Sequence, residues 1–205
     1  MKARIMKYSS LKIALLVIVC STAPSLAGEL GNVNTRNCTW CHGPSAQGYA
    51  PAPRLAGQRR LYLENQLRGF AEQKRNNPFS ELYMWHAAAN LGPQGARYLA
   101  DYFSSLEPKA ADDGKKQLVA TGRTIFQEGL PGSNIVACIA CHGPRAQGVR
   151  QIPRLGGLAY SYLQRRLQQW HDGYDHHAGH PMPDVTRRLS RHQIKALASY
   201  LSFIK

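Results

Sequence analysis

Sulfur is scarce in this 205-residue chain, which has five cysteines and four methionines, and that scarcity makes the few sulfur atoms informative. Cys20, Met1 and Met6 fall in the first 27 residues; beyond them only Cys38, Cys41, Cys138, Cys141, Met84 and Met182 remain. Long apolar runs are missing too. The run IALLVIV, residues 13–19, is well short of the roughly 20 residues that span a bilayer. Acids are few, 12 against 26 lysines and arginines, so the chain carries a net charge of +14 and suits an acidic partner or an anionic membrane surface better than a basic one. Strand-like alternation and hairpin dipeptides are lacking, which argues against a β protein. The composition is otherwise that of a globular protein, which excludes wholesale disorder.

The first segment reads as an export signal. Lys2, Arg4, Lys7 and Lys12 precede the apolar run, and CSTAPSLA follows it with small residues at Ser25 and Ala27. That order is an n-region, h-region and cleavage site, with the cut expected after Ala27 and the mature protein in the periplasm. A lipoprotein cut before Cys20 is disfavoured because Val17, Ile18 and Val19 lack the small residue wanted there. In an oxidising compartment free thiols pair unless other chemistry consumes them, so the four remaining cysteines need an explanation.

CTWCHGPSAQG, starting at Cys38, reappears as CIACHGPRAQG, starting at Cys138, 100 positions later. The same offset aligns Pro53-Arg54-Leu55 with Pro153-Arg154-Leu155, Tyr62-Leu63 with Tyr162-Leu163, and Phe70 with Trp170. It then falls to 98, pairing Met84 with Met182, Leu91 with Leu189 and Tyr102 with Tyr200. A duplicated unit of this length implies tandem domains. The expected layout is a signal at 1–27, a first domain at 28–106, a linker at 107–115 and a second domain at 116–205.

Within each repeat the apolar spacing is helical, so the fold expected is all-α. Ser190 is a plausible N-cap for the stripe Ile194, Leu197, Ala198, Leu201; Tyr98, Leu99, Tyr102 and Leu106 make the matching stripe behind Pro93. LYLENQLRGF and YSYLQRRLQQW predict another helix in each domain. LVATGRTIFQEG predicts a leading helix in the second domain only, since the first has GELGNVNTRN in its place.

C-x-x-C-H is the attachment signature of c-type haem. Two thiols bond the porphyrin's vinyl groups and the adjoining histidine supplies an axial imidazole, so all three must share one turn. Cys38, Cys41 and His42 satisfy this, as do Cys138, Cys141 and His142, and two covalent haem c groups would consume all four thiols. A zinc site would want converging thiolates and would leave the histidines unexplained; a thioredoxin-like pair would want a βαβ context. For the sixth iron position, Met84 and Met182 are the candidates, sitting at matched repeat positions in loops before a helix. His86, His176, His177 and His180 are rivals without counterparts in the other repeat. The carbonyls of Pro53 and Pro153 are candidates to accept the imidazole N–H, and Arg54 and Arg154 to pair with haem propionates.

With CxxCHGP-x-AQG twice, PRLAGQ and PRLGGL, YL-x-x-QL-x-x-F, and a methionine ahead of a closing helix that ends AxY, the chain beyond the signal resembles the dihaem cytochrome c4 family. The resemblance implies two class I cytochrome c domains with His/Met-ligated haems, His42 and His142 being proximal and Met84 and Met182 distal. It implies a periplasmic electron carrier in a respiratory chain, for example toward a terminal oxidase, and not an enzyme in itself. The expected partners are membrane-bound or periplasmic redox proteins, with peripheral membrane attachment through basic residues open and no nucleic acid. The alternatives are the haem subunit of a dehydrogenase such as flavocytochrome c sulfide dehydrogenase, or an enzyme with an open iron site.

Overall fold

The computed structural model describes residues 33–49, 51–175 and 181–205. The expected signal at 1–27 and His176, His177 and His180 lie outside the described residues. Among the described residues there are helices, turns and three isolated bridges but no strands, and no helix is long and apolar enough to cross a membrane.

In the first domain α1 (Thr35–His42) carries the first cysteine motif, α2 (Arg60–Ala71) follows a loop, a π-helical turn (Ser80–Met84) runs directly into α3 (Trp85–Ala88), and α4 (Pro93–Ser105) closes the unit. Pro93 opens α4, where its missing N–H costs nothing. The second domain repeats the plan with α5 (Val119–Glu128) added in front, then α6 (Ile139–His142), α7 (Tyr160–His171), α8 (Met182–Thr186) and α9 (Arg191–Ser202). Ser190 caps α9 reciprocally: its Oγ accepts from Gln193 N at 3.2 Å, and Gln193 Oε1 accepts from Ser190 N at 2.8 Å.

Each closing helix packs on the long middle helix, α4 on α2 and α9 on α7, and α9 also crosses α5. The α5 crossing is close. A Cβ on Gly122 would run into the Ala196 carbonyl and the Tyr200 side chain, so only glycine fits there. Phe126 and Ile125 from α5 enlarge the second core, where they join Leu163, Leu167, Leu197 and Leu201. The first core is smaller: Leu63, Leu99, Ala100 and Phe103 with Ala46 and Ala56.

One stripe differs from the sequence expectation. On α4 the buried face is Ala96, Leu99, Ala100 and Phe103, whereas Tyr98 is 44% exposed and Tyr102 38%. Their repeat partners Ala196 and Tyr200 are buried because α5 lies over them. No such helix is present among the described residues of the first domain, and the two tyrosines stay exposed.

The two domains are joined through polar contacts. Arg54 donates from Nη2 to Gly156 O at 2.7 Å and from Nη1 to Gly157 O at 2.8 Å and to Lys109 O. Gln58 grips the backbone of Arg154 at both N (2.7 Å) and O (2.9 Å), and Arg59 donates to Gln147 O and Gly148 O. Segment 107–115 lies along both units: Gln47 bonds Glu107 O and Lys109 N on one side, and Ala111 N donates to Gly157 O and Asp112 N to Ser202 O on the other.

Candidate functional site

In each domain the C-x-x-C-H run sits on one helix end. Cys38, Cys41 and His42 lie on α1; Cys138 immediately precedes α6, and Cys141 and His142 lie on it. All four cysteines are free of disulfides. Burial, helped by the neighbouring Cys41, pushes the Cys38 thiol up, and burial pushes Cys138 up to about 11 against its own backbone hydrogen bond. Both therefore stay un-ionised at neutral pH.

The helices stop at the histidines because Gly43 and Gly143 follow with φ +83° and +78°, a region glycine enters freely. The chain then folds back through a turn that brings Pro53 and Pro153 over the imidazoles. His42 Nδ1 lies 2.7 Å from Pro53 O, and His142 Nδ1 lies 3.0 Å from Pro153 O. A carbonyl only accepts, so Nδ1 is the protonated nitrogen and Nε2 keeps its lone pair. Burial lowers both histidines' affinity for a second proton, opposed by the proline carbonyls. Each pocket thus presents a neutral, oriented imidazole, the form that ligates metal.

The second domain leaves a small apolar cleft lined by Phe126, Ile135, Leu155, Leu167, Leu189, Leu197 and Leu201, with Cys138, His142 and Met182 on its wall. Met182 opens α8, with Pro183 behind it and its carbonyl accepting from Thr186 Oγ1 at 2.7 Å. Met84 is the last residue of the π-helical turn. Both methionines are therefore in short helical turns and not in the loops expected from sequence. A π-bulge, which local sequence patterns do not reveal, is a frequent mark of functional positions. His86 is exposed on α3 while Met84 is half-buried, which leaves the thioether better placed to face an interior.

An apolar cleft with one thiol, one oriented imidazole and one thioether on its wall, and a second thiol on the same helix end, fits a flat porphyrin. Buried donors without partners support the same fit: Arg54 Nε and Trp170 Nε1 have none, and a porphyrin carboxylate would satisfy such groups. Arg54 is held down to about 10 by burial and by the nearby Arg154, a cationic setting that calls for an anion. Arg154 is less enclosed, and its Nε reaches Gly156 O at 3.3 Å. Among the described residues no three His, Cys, Asp or Glu side chains converge as a bare-metal site, so the two C-x-x-C pairs do not form a zinc centre.

Sequence reasoning missed the polar seam between the domains. Gln58, Asn77, Arg166 and Asp175 lack a shared motif; only the burial of so many polar groups reveals them.

Two helical domains, each presenting a C-x-x-C-H turn and a thioether, define a covalent two-haem protein. A family model described as Cytochrome c matches residues 32–107 and 119–205, and the chain belongs to the cytochrome c family. It is of the dihaem cytochrome c4 type, carries two covalently bound haem c groups, and serves in electron transfer. Cytochrome c-552 of Acidithiobacillus ferridurans is 35% identical over 81% of this chain and 73% of its own. A thiosulfate dehydrogenase electron acceptor of Thiomonas intermedia (strain K12) is 36% identical over 81% and 77%. The solved cytochrome c4 of Acidithiobacillus ferrooxidans superposes with a TM-score of 0.76 at 33% identity, covering 82% of this chain and 99% of that one. Relatives of this kind favour the electron-transfer protein over the haem subunit of a flavocytochrome c sulfide dehydrogenase.

Proposed function

We propose that the chain is a periplasmic carrier that takes electrons singly from a dehydrogenase and passes them toward a terminal oxidase, without bond-making at the protein. The observation that carries this reading is the matched pair of imidazoles, each fixed through Nδ1 by a proline carbonyl with its Nε2 free. In this reading Cys38, Cys41, Cys138 and Cys141 would hold the two haems by thioether bonds, and His42 with Met84 and His142 with Met182 would supply the protein ligands to the irons. The haems supply a reversible one-electron change at iron, its potential raised by a thioether ligand. The chain's own residues do the rest. Pro53 and Pro153 keep the imidazoles neutral and aligned, the apolar cleft excludes water, and Arg54 and Arg154 neutralise propionate charge. An export signal ending at Ala27 would deliver the protein to the compartment where such haems are attached.

The thiosulfate dehydrogenase electron acceptor among the relatives favours a sulfur-compound dehydrogenase as donor. The first test is the absorption spectrum of the holoprotein, oxidised and reduced, with and without carbon monoxide. Two low-spin haems with methionine-to-iron charge transfer and no carbon monoxide binding are expected. A haem that binds carbon monoxide readily would replace the carrier reading with that of an enzyme with an open site.

A further inference from the structure

Among the described residues the seam between the domains contains one buried acid, Asp175, set among arginines, and that acid binds the segment of the other domain that leads into the turn ending at Met84. At the offset of 100 residues, Gln66 corresponds to Arg166 and Arg75 to Asp175. The first domain joins its pair as Arg75 Nη1 donating to Gln66 Oε1 at 2.7 Å; the second reverses the polarity, with Arg166 Nη1 donating to Asp175 Oδ2. Reversal leaves a carboxylate, 1% exposed, facing the first domain. Asn77 donates to it twice, from N to Oδ1 at 3.2 Å and from Nδ2 to Oδ2 at 2.8 Å, while Arg75 Nε stands 4.0 Å away. Asp175 N donates to Asn76 Oδ1 at 2.8 Å, and Gln169 Nε2 donates to Asn77 Oδ1 at 3.3 Å. The second domain thus grips residues 75–77 of the first.

Those residues hold both ends of the turn that presents Met84. At its start, Asn77 Oδ1 accepts from Ser80 N at 3.1 Å, Asn77 Nδ2 donates to Ser80 Oγ at 2.7 Å, and Asn77 O accepts from Ser80 N and Glu81 N. Just past its end, Trp85 Nε1 donates to Arg75 O at 2.7 Å. Asn77 and Ser80 are 2% and 3% exposed, so water does not replace a lost partner readily.

We propose that Asp175 of the second domain is a positioning residue for Met84 of the first: by binding Asn77, the cap of the turn that ends at Met84, it sets how firmly the thioether closes the first haem. Domain docking and first-haem ligation are then one equilibrium, whereas Met182 lines a cleft made by residues of its own domain. This rests on Met84 and Met182 being the sixth ligands, so the test contains its own control.

The holoprotein is compared with Met84→Ala, Met182→Ala, Asp175→Ala, Asp175→Asn and Asn77→Ala by the charge-transfer band and by carbon monoxide binding to the reduced form. Met84→Ala and Met182→Ala should each open one haem and supply its separate spectrum; failure of Met84→Ala to do so would refute the ligand assignment itself. Asp175→Ala and Asn77→Ala should speed carbon monoxide binding at the first haem at least tenfold and leave the second closed. Asp175→Asn, which retains an acceptor for Asn77, should lie between them and the parent. With Met84→Ala opening its haem, a first haem as closed in Asp175→Ala and Asn77→Ala as in the parent overturns the inference, as does equal opening of both haems. Should Asp175→Ala fail to fold, Asn77→Ala and Asp175→Asn make the same discrimination.

Discussion

An imidazole tied to a carbonyl 2.7 or 3.0 Å away, as His42 and His142 are, has its rotation and tautomer chosen before any partner arrives. Asp175 is the opposite kind of residue, an acid whose state is decided by its neighbours. Burial pushes its carboxyl up, but Arg166, Arg75 and the Asn77 amide together outweigh burial and hold it below the ordinary range. A carboxylate depressed on folding contributes stability fully above its unfolded value of about 3.9 and loses that contribution as pH falls through the folded value. The seam should therefore be insensitive to pH between 5 and 8 and weaken below about pH 4. Thermal unfolding at pH 6 and pH 3 checks this: Asp175→Asn should lose part of the parent's acid sensitivity, and an identical pH dependence in the two proteins would contradict the assignment. Removing one partner of a buried ionic cluster typically costs about 3–5 kcal/mol. Asp175→Ala, which leaves Arg166 buried without its acid, should consequently lower the unfolding temperature more than any exposed-charge substitution.

At the scale of the element, two features of the second domain carry measurable stability. Ser190 and Gln193 form the reciprocal cap of α9, and Ser190→Ala should destabilise the domain by about 1 kcal/mol. Gly122 lies where α5 crosses α9 at backbone contact; Gly122→Ala should cost about 1–3 kcal/mol through overpacking, despite alanine's better helix propensity. Denaturant unfolding followed at the second haem would register both, and a stabilised Gly122→Ala would mean the crossing is looser than described. The same elements show what was legible beforehand. The helix starts at Pro93 and Ser190 and the repeat itself were readable, because caps, period and motif are local signals. The exposure of Tyr98 and Tyr102 was not, since it depends on a covering helix and not on their own spacing. The π-helical turn at Ser80–Met84 was equally hidden: its cap, Asn77, is held from another domain, a relation no window of sequence contains.

For the whole molecule, duplication produced two matching histidine–proline turns and an unlike interface. Six arginines, Arg54, Arg59, Arg75, Arg154, Arg165 and Arg166, make contacts at the seam or its rim, against Asp175, the one buried acid among the described residues. The excess charge continues over the surface. Of the net +14, four positive charges belong to Lys2, Arg4, Lys7 and Lys12, and removal of the signal would leave about +10, concentrated beyond residue 110. A field of that sign accelerates encounter with an acidic redox partner and contributes little once docking is complete. Screening shortens the reach of the field from about 30 Å at 0.01 M salt to about 8 Å at 0.15 M. The bimolecular rate of reduction by an acidic donor protein should therefore fall by about tenfold or more over that range, while the carbon monoxide reactivity of the haems stays constant because carbon monoxide is uncharged and is not steered by the field. Stopped-flow reduction across a salt series measures both, and a rate independent of salt would show that the basic surface serves solubility and does not guide the partner.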